Sequence, residues 1–315
     1  MVYRVGHNSD HNGSMVLTAF TLRMSLALAF LSIYTIWGST YLAIRFAIVT
    51  IPPFIMAAIR FLISGAVLYT WTRVRSTPAP SRSNWKATAT IGGFLLFGGN
   101  GGVVNAEQVL PSGLTAVLIT TVPLWMALVE LFRKDRIVPR PQIIFGLVLG
   151  FGGVILLVGP GDFGGGSGLN TFWALVLILA SLSWAIGSVY SRKASVPSNP
   201  LLGSGMEMIA GGLLLLVASL FTGEWANFQP TNLSLLSLLS FVYLVVFGAM
   251  IAYSAYVWLL TKTSTAKVST YAYVNPVVAV LLGYFLGGEQ LTIRTVLASA
   301  VIVLAVVFIT TFRSR

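Results

Sequence analysis

Cysteine is absent from this chain, which excludes disulfides, thiolate metal sites and a cysteine nucleophile. Histidine is nearly absent: His7 and His11 are the only two, both close to the N-terminus. No histidine cluster with metal-ligand spacing can form from them, and no metal or other cofactor is expected. Charge is scarce as well. Asp, Glu, Lys and Arg make up 9% of the residues, against about 25% in a soluble domain; a chain this poor in charge cannot cover itself in water. No GxxxxGK[ST], Gly-x-Ser-x-Gly or His-Glu-x-x-His run occurs, which removes the commonest sequence signs of nucleotide hydrolysis and hydrolytic catalysis.

What remains is apolar. Of the 315 residues 56% are hydrophobic, and the mean hydropathy is +0.87. Leu26 to Ile44, Ile143 to Gly159, Thr171 to Ser191 and Thr295 to Phe312 carry no charge; each is near the ~20 residues that cross a hydrocarbon core. Their Leu, Ile, Val and Ala content suits helices rather than alternating membrane strands. The pattern predicts an all-α integral membrane protein of ten transmembrane helices, at 26–48, 53–73, 86–107, 112–132, 141–159, 171–191, 200–222, 235–260, 264–287 and 293–312.

The net charge of +11 could suggest nucleic acid, but its placement argues for a membrane instead. Arg73, Arg75, Arg82 and Lys86 lie between helices two and three, and Arg133, Lys134, Arg136 and Arg140 between four and five. Arg192 and Lys193 follow helix six, Lys262 and Lys267 bracket the turn after helix eight, and Arg313 and Arg315 end the chain. The alternate loops carry Glu107, Asp162, Glu224 and Glu289, with Arg294 as the basic exception. Positive charge is retained in the cytoplasm, so both termini are expected there. Residues 1–25 read as a polar cytoplasmic tail, disordered over the first ~23, with Met15 and Met24 as alternative starts. The first apolar run is too long for a usual signal-peptide h-region.

The chain also repeats itself. "SGLTAVLITTVPLWMALVELF" from Ser112 lies over "TAKVSTYAYVNPVVAVLLGYF" from Thr265 without a gap, which sets Pro123 against Pro276, 153 positions apart. "GSTY" from Gly38 matches "GSVY" from Gly187 at an offset of 149, and "PFIMAAIRFLISG" from Pro53 matches "PLLGSGMEMIAGG" from Pro200 at 147. The expected domains are therefore a first repeat at 26–159, a glycine-rich periplasmic loop at 160–170 and a second repeat at 171–315. Five helices is an odd number, so the second copy enters the membrane from the opposite side, the inverted arrangement of many secondary transporters.

The runs "IWGSTYLAIRFAI", "PPFIMAAIRFLISG", "AEQVLPSGLTAVLITTVPLW" and "STYAYVNPVVAVLLG" resemble the EamA-type drug/metabolite transporters, in particular bacterial inner-membrane members. The likeness spans roughly residues 26–312. It implies ten helices in two EamA repeats, a multi-pass protein of the inner (plasma) membrane, and export or exchange of small metabolites such as amino acids or related compounds. It is specific for the family and weak for the substrate.

Pro123 and Pro276 stand ~11–12 residues into helices four and nine, about halfway through the membrane. Each is expected to free the carbonyl four residues back, Ile119 or Ala272, which lipid does not tolerate unless the carbonyl is buried in protein or faces a wet cavity. They are candidate helix breaks or hinges, or else packing kinks. Asn275 and Tyr271 share a stripe beside Pro276 and should face inward, either to bind a solute or to clamp two helices. Asn100 and Asn105 on helix three are weighed the same way. Trp37 and Tyr41 on helix one (with Arg45 one turn on), Thr121 and Trp125 on helix four, and Trp184 and Ser188 on helix six complete the cavity candidates, with interfacial or packing roles as the alternative. The glycines of "FGGNGG" (Phe97 to Gly102) read as packing. Arg60 and Glu207 align between the repeats but fall in opposite halves of the membrane, so direct pairing is not expected. Arg60 reads as a structural anchor, and Glu207 and Glu107 as candidates for proton coupling or a gate.

These features favour a secondary transporter for a neutral or zwitterionic solute with an apolar part, with protons as the candidate coupling ion. The partners expected are that solute and membrane lipids, with no nucleic acid. A channel should show rings of like charge or filter carbonyls, and none is evident; a passive scaffold is the other alternative. A membrane enzyme would have to work with Glu107 and Glu207, which point toward opposite faces. Monomer and homodimer both remain open: "GLVLG" (Gly146 to Gly150) and "GYFLG" (Gly283 to Gly287) are small-xxx-small patterns that usually pack helices within one chain.

Overall fold

The computed structural model describes residues 9–75, 77–110, 115, 118–132, 140–158, 168–287 and 293–311. Helices are α1 (Ser9–Ala47), α2 (Pro53–Val74), α3 (Arg82–Ala106), α4 (Val122–Leu131), α5 (Pro141–Val158), α6 (Gly168–Ser191), α7 (Pro200–Phe221), α8 (Leu235–Lys262), α9 (Tyr271–Gly287) and α10 (Ile293–Thr311). No strand occurs among the described residues. Most of the predicted glycine-rich loop and the basic residues Arg133, Lys134, Arg136, Arg313 and Arg315 lie outside the described residues, as do Asp162 and Glu289.

Local chemistry sets several starts. Pro53 and Pro200 occupy the first turns of α2 and α7, where a missing N–H costs no helical bond. Asn199 accepts from Leu201 N at 3.0 Å to cap α7. Ser81 and Asn84 cap α3 reciprocally, and Ser234 caps α8.

Three expectations need correction. The first helix starts at Ser9, not near residue 26; once nucleated in the membrane, a helix propagates readily through "MVLTAF" and the short polar run before it. Helix four does not run unbroken to Pro123, because Thr120 and Thr121 form a turn and α4 begins at Val122. Pro123 thus sits in a first turn. Helix nine is also split, but earlier than its proline: Thr265–Val268 forms one short turn of helix, Ser269 and Thr270 a bend, and α9 then passes through Pro276.

The two halves pack with pseudo-twofold regularity. α2 lies along α7, and α5 along α10; α1 packs on α8 and α9 as α6 packs on α3 and α4. Glycines make the α2–α7 seam. A β-carbon on Gly65 would lie 2.8 Å from Gly205 O and from Ile209 N, so only backbone fits there. Of the "GLVLG" pair, Gly146 faces Ile309 and Gly150 the Tyr273 ring; this motif packs helices of one chain. Tyr273, Ile143, Leu147 and Ile302 form a second apolar cluster apart from the main core.

The basic loops gather at one end. Asn84 Nδ2 donates to Ser195 O (2.7 Å), and Arg192 Nη1 to Thr263 O (2.8 Å), linking the segments that carry Arg82, Lys86, Arg192, Lys193 and Lys262. At the other end Ser237 Oγ donates to Phe46 O at 2.7 Å. There the Glu224 carboxylate accepts from Phe54 N (3.1 Å) and Ile55 N (2.9 Å) at the start of α2. Partial burial pushes the Glu224 carboxyl above its ordinary range, and the two N–H donors oppose that rise.

Candidate functional site

A cavity lies between the halves. Its wall is built from α1, α2, α3, the start of α4, α6, α8 and α9. Six of the ten expected cavity residues line it: Trp37, Tyr41, Asn100, Trp184, Tyr271 and Asn275. Arg60 lines it as well.

The other four candidates do not line it. Ser188 is buried one turn beyond Trp184, with its hydroxyl 2.6 Å from Tyr256 Oη. Asn105 donates to Gly101 O of its own helix (2.9 Å). Thr121 donates to Leu118 O at 2.6 Å, which stabilises the turn before α4. Trp125 packs against the main core. Pro123 and Pro276 are buried beside two lining residues, Val122 and Asn275.

Two widened stretches of helix face the cavity. Gly93–Asn100 in α3 and Leu244–Tyr253 in α8 wind as π-helix, in which bonds span five residues and an extra residue enlarges the turn. From Gly93 to Leu244 is 151 positions, between the repeat offsets of helices two and four, so the two stretches are equivalent. Gly99 and Asn100 come from the first stretch, Gly248 and Tyr253 from the second.

Toward the basic loops the cavity ends on packed rings. Trp37 lies 4.8 Å from Tyr271, 5.1 Å from Tyr256 and 5.7 Å from Trp184, centroid to centroid. Trp37 Nε1 donates to Gly248 O (3.1 Å), and Trp184 Nε1 to Tyr256 Oη (2.8 Å). With its amide nitrogen turned to the carbonyls it faces, Asn275 donates to Tyr271 O (3.0 Å) and Tyr34 O (3.2 Å). Asn275 is thus both cavity wall and clamp between α9 and α1. Tyr34 Oη meets Thr270 Oγ1 at 2.6 Å, at the bend before α9.

Toward the opposite end the wall is charged. Arg60 is 4% exposed; its Nη2 donates to Asn100 Oδ1 at 3.0 Å, while its Nε has no hydrogen-bond partner. Both carboxylate oxygens of Glu107 are buried without a partner. Glu107 interacts through space with Arg60 and Arg45 without a bond to either among the described residues. Glu207 is held separately: Tyr253 Oη donates to its Oε2 at 2.9 Å. Arg60 and Glu207 therefore have different partners.

Sequence reasoning missed Tyr253, Tyr256 and Tyr34. Tyr253 and Tyr256 stand three apart in "YSAYVW", and Tyr34 three before Trp37, spacing that puts each pair on one helix face. Among the described residues no group of His, Asp and Glu could hold a metal ion.

Comparison with known proteins agrees with this architecture. A model of the EamA-like transporter family matches twice, at residues 23–159 and 171–311. The inner membrane transporter YedA of Escherichia coli is 41% identical over 90% of this chain and 89% of its own length. A chloroplastic WAT1-related protein of Arabidopsis thaliana is 28% identical over 88% of this chain and 67% of its own. A solved crystal structure superposes with a TM-score of 0.74 over 91% of this chain and 97% of that one at 22% identity, a likeness of fold.

Proposed function

Because the chain belongs to the EamA-like transporter family, a membrane transporter with its ten helices in two inverted repeats, we propose that it carries a small amphiphilic organic solute through the central cavity by alternating access. The observation that carries this reading is a cavity walled by both repeats, closed by rings at one end and edged with unpartnered charge at the other. Sites between inverted repeats near the membrane midplane suit exchange between two mouths.

In this reading Trp37, Trp184 and Tyr271 hold the apolar part of the solute, while Tyr41, Asn100 and Asn275 orient its polar part. The turns before Pro123 and before α9 let the halves shift. The clustering of the basic loops supports cytoplasmic termini, and the reading is export or exchange across a bacterial inner membrane. Protons are the coupling ion, with Glu107 or Glu207 as the group that carries them.

The test begins with cells that lack or overproduce the protein, whose excreted metabolites identify the solute. The purified protein in liposomes should then move that solute with saturable flux and show counterflow; flux that rises linearly without limit would sink alternating access. An imposed pH gradient should change the steady-state accumulation. An unchanged level would remove proton coupling and leave the carrier reading in place.

A further inference from the structure

We propose that Arg60 and Asn100 form the anchoring point for an anionic group of the solute, so that the cavity selects organic monoanions with an apolar body over neutral or cationic analogues. This rests on the transport reading above and deepens it.

Arg60 is 4% exposed, lines the cavity, and has a buried Nε without a partner. A buried guanidinium with an unused N–H loses hydration without full replacement. A carboxylate restores it, because its two oxygens match the fork of Arg donors. Asn100 strengthens the match: its Oδ1 already accepts from Arg60 Nη2, which leaves its Nδ2 as a further donor on the cavity wall.

Charge arithmetic points the same way. Two cationic side chains, Arg45 and Arg60, act on the single carboxyl of Glu107 at this end. Glu107 forms no hydrogen bond to Arg60, so it does not occupy the guanidinium donors. Glu207 is on α7 with its carboxylate bonded by Tyr253. The rings of Trp37, Trp184 and Tyr271 supply the apolar surface next to this charge. A role as mere structural anchor would use Arg60's donors on protein acceptors; here one of them faces none.

The experiment uses the full chain in lipid nanodiscs and four probes that share a phenyl ring: phenylacetate, phenylalanine, phenethylamine and 2-phenylethanol. Binding is read from quenching of tryptophan fluorescence, separately from flux, so failed anion selectivity and failed transport are distinguishable. Phenylacetate should bind about tenfold or more tighter than the other three, the size of one charge-assisted contact. Arg60→Gln should abolish that preference, weakening phenylacetate far more than 2-phenylethanol, while Arg60→Lys retains part of it. Glu107→Gln should tighten phenylacetate binding. Tighter binding of phenethylamine or phenylalanine, equal binding of all four, or no phenylacetate binding at about 10 mM would overturn the proposal. If Arg60→Gln does not fold, the order of the four probes on the unaltered protein decides.

Discussion

The two ends of the cavity are built on opposite principles. Toward the basic loops, the ring cluster is tied together within the protein: Trp37 Nε1 on Gly248 O, Trp184 Nε1 and Ser188 Oγ on Tyr256 Oη, Tyr34 Oη on Thr270. Toward the opposite end, Arg60 Nε and both Glu107 oxygens are buried with no partner. A satisfied network specifies one arrangement, and an unsatisfied one awaits something from outside. The ringed end is therefore where this conformation is locked, and the charged end is where a ligand or proton would change it.

That contrast can be broken or sharpened by substitution. The largest effect is expected at the seam that supports both ends. Gly65→Leu forces a side chain against the Gly205 and Ile209 backbone, and size-exclusion chromatography in detergent should show most monodisperse protein lost. A wild-type profile would mean the seam is looser than its contacts suggest. Next is the ringed end. Trp37→Ala removes three ring contacts and an indole bond, and thermal unfolding in detergent should report about 2–4 kcal/mol of destabilisation. That is below the soluble-core range for Trp→Ala, because lipid rather than water surrounds the unfolded helices. Smallest in stability is the charged end. Glu107→Gln deletes a charge that makes no hydrogen bond, so stability should stay within about 1 kcal/mol of the parent. Its effect should appear instead as a flattened pH dependence of flux. A large fall in stability would place Glu107 among the structural residues and erase the contrast.

Much of this was legible in the sequence, for physical reasons that differ by feature. Hydrophobic length and the placement of Lys and Arg marked ten crossings and the basic end, because lipid constrains both strongly. The repeat emerged from Pro123 over Pro276, and Trp37, Tyr41, Trp184, Tyr271 and Asn275, which line the cavity, stood out as polar and ring-bearing residues in an apolar chain. The break expected at Pro276 is displaced because a proline reports a lost donor, not the point at which the chain bends. Upstream of Pro123 the break falls at Thr120 and Thr121; in the second half it falls at Ser269 and Thr270, while α9 continues through Pro276.

Other features depended on tertiary partners. Arg60 reads as an anchor from the sequence alone; the structure adds that α3 sets Asn100 beside one of its donors, while its Nε has no hydrogen-bond partner. The grip of Glu224 on the start of α2 spans 170 positions and has no local pattern. The π-helical winding gave only a faint sign, Phe97-Gly98 in one half and Phe247-Gly248 in the other, which reads as packing when seen alone.

Those two stretches also carry history. A π-helical segment is costly to a helix, and it stands at the same address in each half of the chain. A repeat unit that already held the widened turn would place it at the same address in both halves. Elsewhere the halves have diverged until Arg60 faces Glu207 across the alignment and a proline opens a helix in one but sits inside it in the other. The widened turn is shared by both halves, where the charged residues and the proline geometry are not.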